Sequence, residues 1–159
     1  MSQLSDQALT IAIGQVGQKE NPLGSNWGHP VQDYLASIGI HFPASWCMAF
    51  VYWCFDHAAG QLAQPNPLFK TGGVLTQWTN RPLNRIIVAA PANPPKPGDI
   101  FIMDLGKGLG HTGIVELLGA DGSLHTIEGN TNDSGSREGI EVAKKVRNNK
   151  KPIIGYLRF

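Results

Sequence analysis

The spacing of hydrophobic and polar positions changes at one proline-rich stretch, APANPPKPGD (90–99). Before it, apolar residues recur at the spacing of amphipathic or buried helices. After it, short apolar runs are separated by glycine-containing turns, as in β-strands. The chain is therefore predicted to have an α+β fold, in which N-terminal helices pack on a C-terminal antiparallel β-sheet of about five to six strands.

Four helices are predicted before this stretch, over residues 5–16, 31–39, 46–59 and 73–80. Ser5 is the predicted N-cap of the first helix, because a serine side chain accepts a hydrogen bond from the unpaired N–H groups of a helix start. Gly39 and Gly60 are predicted to end the second and third helices. The third helix is apolar nearly all round, which indicates burial on most sides.

Five strands are predicted after the stretch, in the runs DIFIMDL, HTGIVELL, SLHTIEGN, IEVAKKV and IIGYLRF. The sequence GADGS between the second and third runs indicates a hairpin, since Asp-Gly tolerates the positive φ angles of tight turns. A chain of 159 residues is long enough for one domain with a hydrophobic core and short for two. We therefore expect a single domain over residues 1–159.

Composition and charge are those of an ordinary globular protein. Hydrophobic residues make up 42% of the chain, charged residues 16%, and the formal net charge is +1. This balance indicates neither nucleic acid nor a membrane surface as a partner. Residues 144–151 form a locally basic segment, which we interpret as a solvated strand edge and turn.

The first twenty residues lack the positive charge and continuous apolar segment of a signal peptide. No apolar run approaches the roughly 18 residues needed to cross a bilayer. We therefore expect synthesis in the cytoplasm without a Sec signal.

The two cysteines lie in the run FPASWCMAFVYWC. On one helix, a rise of about 1.5 Å per residue separates Cys47 from Cys54 by about 10 Å, beyond the roughly 7 Å limit for a disulfide. Two free thiols are predicted. Cys47 stands at the helix start, where unpaired N–H groups favour the nucleophilic thiolate. Cys54 lies two turns further in, where burial keeps a thiol protonated and inert.

A nucleophilic cysteine needs a base, normally histidine, and a third group that orients the imidazole. His111 opens the run HTGIVELL and is predicted at a strand end, exposed to a cleft. In the next run, Thr126, Glu128 and Asn130 are predicted to share one face of a strand. If the two strands form a hairpin, Glu128 or Asn130 reaches His111.

The blocks SWCMAFVYWC, KPGDIFIMDLGKGLGHTGIVELL and TIEGNTN resemble the CHAP family of cysteine, histidine-dependent amidohydrolases/peptidases. This family belongs with the NlpC-like peptidoglycan hydrolases in the papain-like superfamily, and the similarity runs from about Glu20 to Phe159. The resemblance implies a papain-like fold with Cys47 as nucleophile, His111 as general base and then acid, and Glu128 as the residue orienting the imidazole. Asn130 matches a further polar position near the site in some members.

The resemblance also places Asn26, Trp27 and Gly28, in the loop GSNWG, and Trp46 where they line a substrate cleft. A purely structural turn at GSNWG is an equally open interpretation. Some phage-derived members carry an acidic calcium-binding loop before the nucleophile, whereas YLASIGIHFPAS here has no carboxylate. We expect no metal and no cofactor.

The function that this resemblance implies is peptidoglycan hydrolysis through a thioester acyl-enzyme. The enzyme would be an N-acetylmuramoyl-L-alanine amidase or a peptidoglycan endopeptidase, a monomer acting on stem peptides or muropeptides. It would work in the periplasm or cell wall after non-Sec export or holin-dependent release, as a phage lysin or as an effector with an immunity (inhibitor) protein.

Two alternatives remain open. One is a papain-like acyltransferase, transglutaminase or deamidase acting on protein substrates. The other is a binding or structural module without activity.

Overall fold

The structure, a computed structural model, describes residues 2–82, 85–87, 92–131, 139–148, 150 and 152–159. Four helices precede most of the sheet: α1 (Gln3–Gly14), α2 (Val31–Ser37), α3 (Cys47–Gln61) and α4 (Val74–Thr79). The strands are β1 (Ile86–Ile87), β2 (Ile100–Gly106), β3 (Leu109–Leu118), β4 (Ser123–Thr131), β5 (Glu141–Asn148) and β6 (Ile153–Leu157). Residues 90 and 91 of the proline-rich stretch lie outside the described residues.

The six strands form one antiparallel sheet in the order β1-β6-β2-β3-β4-β5. This arrangement confirms the predicted α+β fold with N-terminal helices. The hairpin at GADGS is also confirmed, since Gly119 N–H donates to the Ser123 carbonyl at 2.8 Å and Gly122 has a φ of 81°. Strand β1 was not predicted, because two residues show no alternation.

Two helix ends differ from the prediction. Ser2, and not Ser5, caps α1: the Ser2 hydroxyl accepts a hydrogen bond from the Ser5 N–H at 3.2 Å. Helix α3 continues through Gly60 to Gln61. One glycine costs a helix only about 1 kcal/mol relative to alanine, and the burial of α3 outweighs this cost.

Successive residues of the central strands face two different apolar clusters. Ile100, Ile102 and Ile114 join the main core with the buried side chains of α1, α2 and α3. Phe101 and Val115, on the opposite face, belong to a second cluster of sheet residues. Helix α3 therefore lies against one face of the sheet, and its first residue is held at a fixed place relative to β3 and β4.

The start of α3 is fixed by a buried hydrogen bond. The indole Nε1 of Trp46 donates to Glu20 Oε1 at 2.8 Å, and both side chains are buried. The Trp46 ring also stacks on Tyr34, with 5.6 Å between ring centroids. Since the Glu20 N–H donates to the Ile140 carbonyl at 2.9 Å, the loop after α1 connects the sheet to the start of α3. Within the described ranges, no helix has the length and hydropathy to cross a bilayer.

Replacing Glu20 by leucine should lower the free energy of unfolding by about 1–3 kcal/mol, because the buried indole N–H loses its acceptor. Glu20→Gln keeps an acceptor oxygen at nearly the same place and should cost much less. Urea unfolding followed by tryptophan fluorescence compares the two variants. Equal losses of stability in both would show that the hydrogen bond does not hold this helix start.

Candidate active site

His111 and Glu128 form a buried pair on neighbouring strands. His111 Nε2 lies 2.7 Å from Glu128 Oε2, and the two side chains are 1% and 0% exposed. His111 is the third residue of β3 and pairs with Met103 of β2. The predicted exposure of His111 at a strand end is therefore wrong, because β3 begins earlier, at Leu109.

The Glu128 side chain passes over a position that has no side chain. Ile114 pairs with Ile127, so the antiparallel register places Gly113 opposite Glu128. A Cβ at Gly113 would lie 2.7 Å from Glu128 Cγ and 2.8 Å from Phe101 Cε1. Glycine at this position therefore gives the carboxylate its path along the sheet to His111.

Sequence reasoning missed one partner of Glu128, which is Arg147 on β5. Arg147 Nε donates to Glu128 Oε1 at 2.5 Å, and Nη2 donates to Oε2 at 2.6 Å. The Arg147 side chain is only 15% exposed, whereas Lys144 is 55% exposed and pairs with Glu116. The predicted solvated edge at 144–151 thus fits Lys144 and is wrong for Arg147, since alternate residues of β5 face opposite sides of the sheet. Residues 149 and 151 lie outside the described part.

The charges of the pair are set by these contacts. Burial alone would raise the pKa of Glu128, but hydrogen bonds and charge from Arg147 and His111 outweigh it and lower the pKa to about 2. Burial alone would likewise lower the pKa of His111, but Cys47 and Glu128 outweigh it and raise the pKa to about 9. Both shifts favour the ion pair of a protonated His111 with an ionised Glu128.

This pair has a defined pH window of stability. The contribution of Glu128 is present above its ordinary pKa of 4.5 and is lost as the pH falls toward about 2. The contribution of His111 is present below its ordinary pKa of 6.5 and is lost as the pH rises through about 9.

Cys47 is the first residue of α3 and is 3% exposed. Its thiol acts on His111 through a side-chain interaction that raises the pKa of the imidazole. Glu128 occupies Nε2, and Nδ1 has no partner of standard hydrogen-bond geometry among the described residues. The Cys47 N–H stands at the start of α3, without an intrahelical acceptor.

Cys54 is enclosed in the core, where burial raises the pKa of its thiol well above the ordinary value. Both cysteines are free, which confirms the prediction of two unpaired thiols.

Asn130 is buried and follows Glu128 by two residues in the sequence. Its side chain makes no hydrogen bond to the His111–Glu128 pair. The pairing of β4 with β5 shifts register between Glu128 and Thr131, and Asn130 has a φ of 53°. Regular alternation therefore holds for Thr126 and Glu128, which share a hydrogen bond of 2.6 Å, and breaks at Asn130. Neither polar atom of the Asn130 amide has a hydrogen-bond partner among the described residues.

The structure separates the predicted cleft residues. Trp46 is fully buried against Tyr34 and Glu20, so its predicted contact with substrate is wrong: the ring is part of the core. Gly28 has a φ of 85°, and a Cβ there would lie 2.2 Å from the Asn21 carbonyl oxygen, which indicates a structural turn. Asn26 and Trp27 are half-buried, and their contact with substrate stays a prediction.

Across the described ranges of the chain, no group of three or more His, Cys, Asp or Glu side chains is arranged to hold a metal ion.

Iodoacetamide at neutral pH should alkylate Cys47 at least about tenfold faster than Cys54, because the alkylated species is the thiolate and His111 favours it at Cys47 alone. Peptide mapping by mass spectrometry measures both rates in one sample. Equal rates in the folded protein would contradict the assignment of Cys47 as the reactive thiol.

Gly113→Ala should lower the free energy of unfolding by about 1–3 kcal/mol, because the new methyl group displaces Glu128 or Phe101. The matched control is Gly14→Ala at the end of α1, where a Cβ meets nothing within 4 Å. We expect that control to leave stability unchanged or to raise it by up to about 1 kcal/mol. Guanidinium unfolding curves compare the two, and equal stabilities would contradict the close approach of Glu128 to Gly113.

Comparison with known proteins places the chain in a family. No curated protein has a matching sequence. Among solved structures, the crystal structure of the wild-type endolysin LysIME-EF1 is similar, with a TM-score of 0.61 and 24% sequence identity. That match covers 99% of this chain and 64% of the endolysin chain, and it shows a shared fold. The CHAP domain matches residues 39–130, a segment that contains Cys47, His111 and Glu128. With more than half of its length matched, the chain belongs to the CHAP domain family.

Proposed function

We propose that this protein is a cysteine-dependent peptidoglycan hydrolase in which Cys47 is the nucleophile, His111 the proton carrier and Glu128 the residue that orients His111. The observation that carries the proposal is the buried His111–Glu128 pair beside a thiol at a helix start. Membership of the CHAP family and the similarity of the fold to an endolysin support peptidoglycan as the substrate class.

In the acylation step, the Cys47 thiolate attacks the carbonyl carbon of an amide bond, and a C–S bond forms. The oxygen becomes an oxyanion, which the Cys47 N–H at the start of α3 stabilises. The His111 imidazolium then gives its proton to the leaving nitrogen as the C–N bond breaks, and a free amine departs. The product is a thioester on Cys47 beside a neutral His111.

In the deacylation step, neutral His111 removes a proton from water, and the hydroxide attacks the thioester carbon. The C–S bond breaks, a carboxylic acid product leaves, and the Cys47 thiolate faces a His111 imidazolium again. Throughout the cycle, Glu128 holds Nε2 of His111, so that Nδ1 stays directed at the sulfur.

We propose an amide within the peptide part of peptidoglycan as the bond cleaved. It is either the bond between the lactyl group and L-alanine, as in an amidase, or a peptide bond of the stem or cross-bridge, as in an endopeptidase. A single catalytic domain, holin-dependent release or non-Sec export, and an immunity protein are parts of the same proposal. A neighbouring holin gene or secretion-associated gene would decide between the two routes.

Digestion of purified sacculi should release new amines and shortened peptides with the wild-type protein, and Cys47→Ala should lower this rate by at least about 10³-fold. Cys54→Ala is the matched control and should retain activity, because its thiol has no base beside it. Mass assignment of the products, from sacculi with direct cross-links and with interpeptide bridges, identifies the bond.

Two results would contradict the proposal. If sacculi yield no product but protein substrates are deamidated or cross-linked, the enzyme is a transferase or deamidase. If Cys47→Ala digests sacculi as fast as the wild type, Cys47 is not the nucleophile.

A further inference from the structure

Arg147 has the most extensive contact with Glu128 of any described side chain, although it lies on β5, outside the segment matched by the CHAP domain. Its guanidinium binds the carboxylate as a two-pronged fork, through Nε to Oε1 and Nη2 to Oε2. Such bidentate pairs fix the plane of the carboxylate as well as its charge. Arg147 therefore determines the direction in which Glu128 Oε2 points.

The remaining hydrogen bonds of the carboxylate complete this arrangement. Oε1 also accepts from the Thr126 hydroxyl at 2.6 Å, and Oε2 lies 2.7 Å from His111 Nε2. Each oxygen thus has two contacts, one of them from Arg147. A buried carboxylate without such a cation is costly, and it would take up a proton or turn away toward water.

We propose that Arg147 is a positioning residue of this site: its guanidinium keeps the Glu128 carboxylate ionised and aimed at His111, and thereby sustains the reactive Cys47 thiolate. This inference rests on the proposed function, because it assigns a role within the same catalytic array. Arg147 itself touches neither the thiol nor the substrate in the proposed mechanism.

The titratable and charged groups around Glu128 come from three elements. His111 faces it from β3 and Arg147 from β5, while Cys47 on α3 acts through His111. Lys145, two residues before Arg147 on β5, lies on the same face of that strand and pairs with Thr126 of β4. Among these groups, Arg147 and His111 are the two that lower the pKa of Glu128 against the effect of burial. Loss of Arg147 should therefore move the protonation of Glu128 toward neutral pH.

The test uses full-length Arg147→Gln, which removes the charge, and Arg147→Lys, which keeps the charge without the fork. Lys144→Gln on the same strand is the matched control, because Lys144 is exposed and pairs with Glu116 at the surface. The rate of Cys47 alkylation by iodoacetamide is measured from pH 4 to pH 10 (about half-unit steps), together with sacculus digestion over the same range.

For Arg147→Gln we expect the acidic limb of both profiles to move up by about one pH unit, which is about a tenfold loss of rate at a fixed acid pH. Arg147→Lys should restore the limb in part, and Lys144→Gln should match the wild type. A role confined to stability would change the amount of folded protein and leave the limb where it is.

Chemical rescue gives a second readout. Arg147 lines a surface concavity with Ser123 and Asn148, so a small cation from solution has access to the space that Arg147→Ala leaves. Millimolar guanidinium chloride should restore Cys47 alkylation in Arg147→Ala at acid pH, and sodium chloride at equal ionic strength should not.

An Arg147→Gln profile identical to the wild type, or no difference between guanidinium and sodium in the rescue, would overturn the inference. The alkylation assay requires no peptidoglycan. A protein that fails to digest sacculi but shows the shifted alkylation profile would therefore contradict the proposed substrate and leave the role of Arg147 supported. If Arg147→Gln does not fold, Arg147→Lys and the rescue of Arg147→Ala decide.

Discussion

The structure of the site depends on one constraint, which is that an ionised carboxylate lies fully buried on a β-sheet face. The buried Glu128 carboxylate is stabilised because hydrogen-bond donors or cations contact it from both neighbouring strands, His111 from β3 and Arg147 from β5. The sheet register is what brings these three side chains together. The geometry of the proposed catalytic site therefore depends on the pairing of β3, β4 and β5 as much as on helix α3, which carries Cys47.

The sequence predicted the parts of the fold that local patterns encode. The helix carrying Cys47 was predicted to within one residue at its start, because an apolar run after a proline turn is a local signal. Trp46, just before this helix, donates its indole N–H to Glu20, which lies 26 residues away in the sequence. The burial of that indole therefore depends on a contact that no local sequence pattern indicates. The expectation that Trp46 lines a substrate cleft is wrong for this reason.

The contact of Arg147 with Glu128 could not be predicted for a related reason. Lysines lie nearby in the sequence, at 144, 145, 150 and 151, and a basic segment is usually solvated. However, only alternate residues of a strand face the same side. Deciding which face is buried required knowing that Leu124 pairs with Arg147 across β4 and β5. The register shift near Asn130 could not be predicted either. A single residue at positive φ interrupts the alternation of side chains between the two sheet faces that the sequence pattern predicts.

The fork between Arg147 and Glu128 also affects the charge balance of the proposed catalytic cycle. Before the reaction, thiolate, imidazolium, carboxylate and guanidinium sum to zero. After acylation the sulfur is a neutral thioester and His111 has given up its proton, and the remaining carboxylate and guanidinium again sum to zero. Without the guanidinium, both stages would leave one negative charge uncompensated in a buried site. The arginine thus keeps the summed charge of these groups at zero in both stages, so that neither stage of the proposed cycle leaves an unpaired charge in the site.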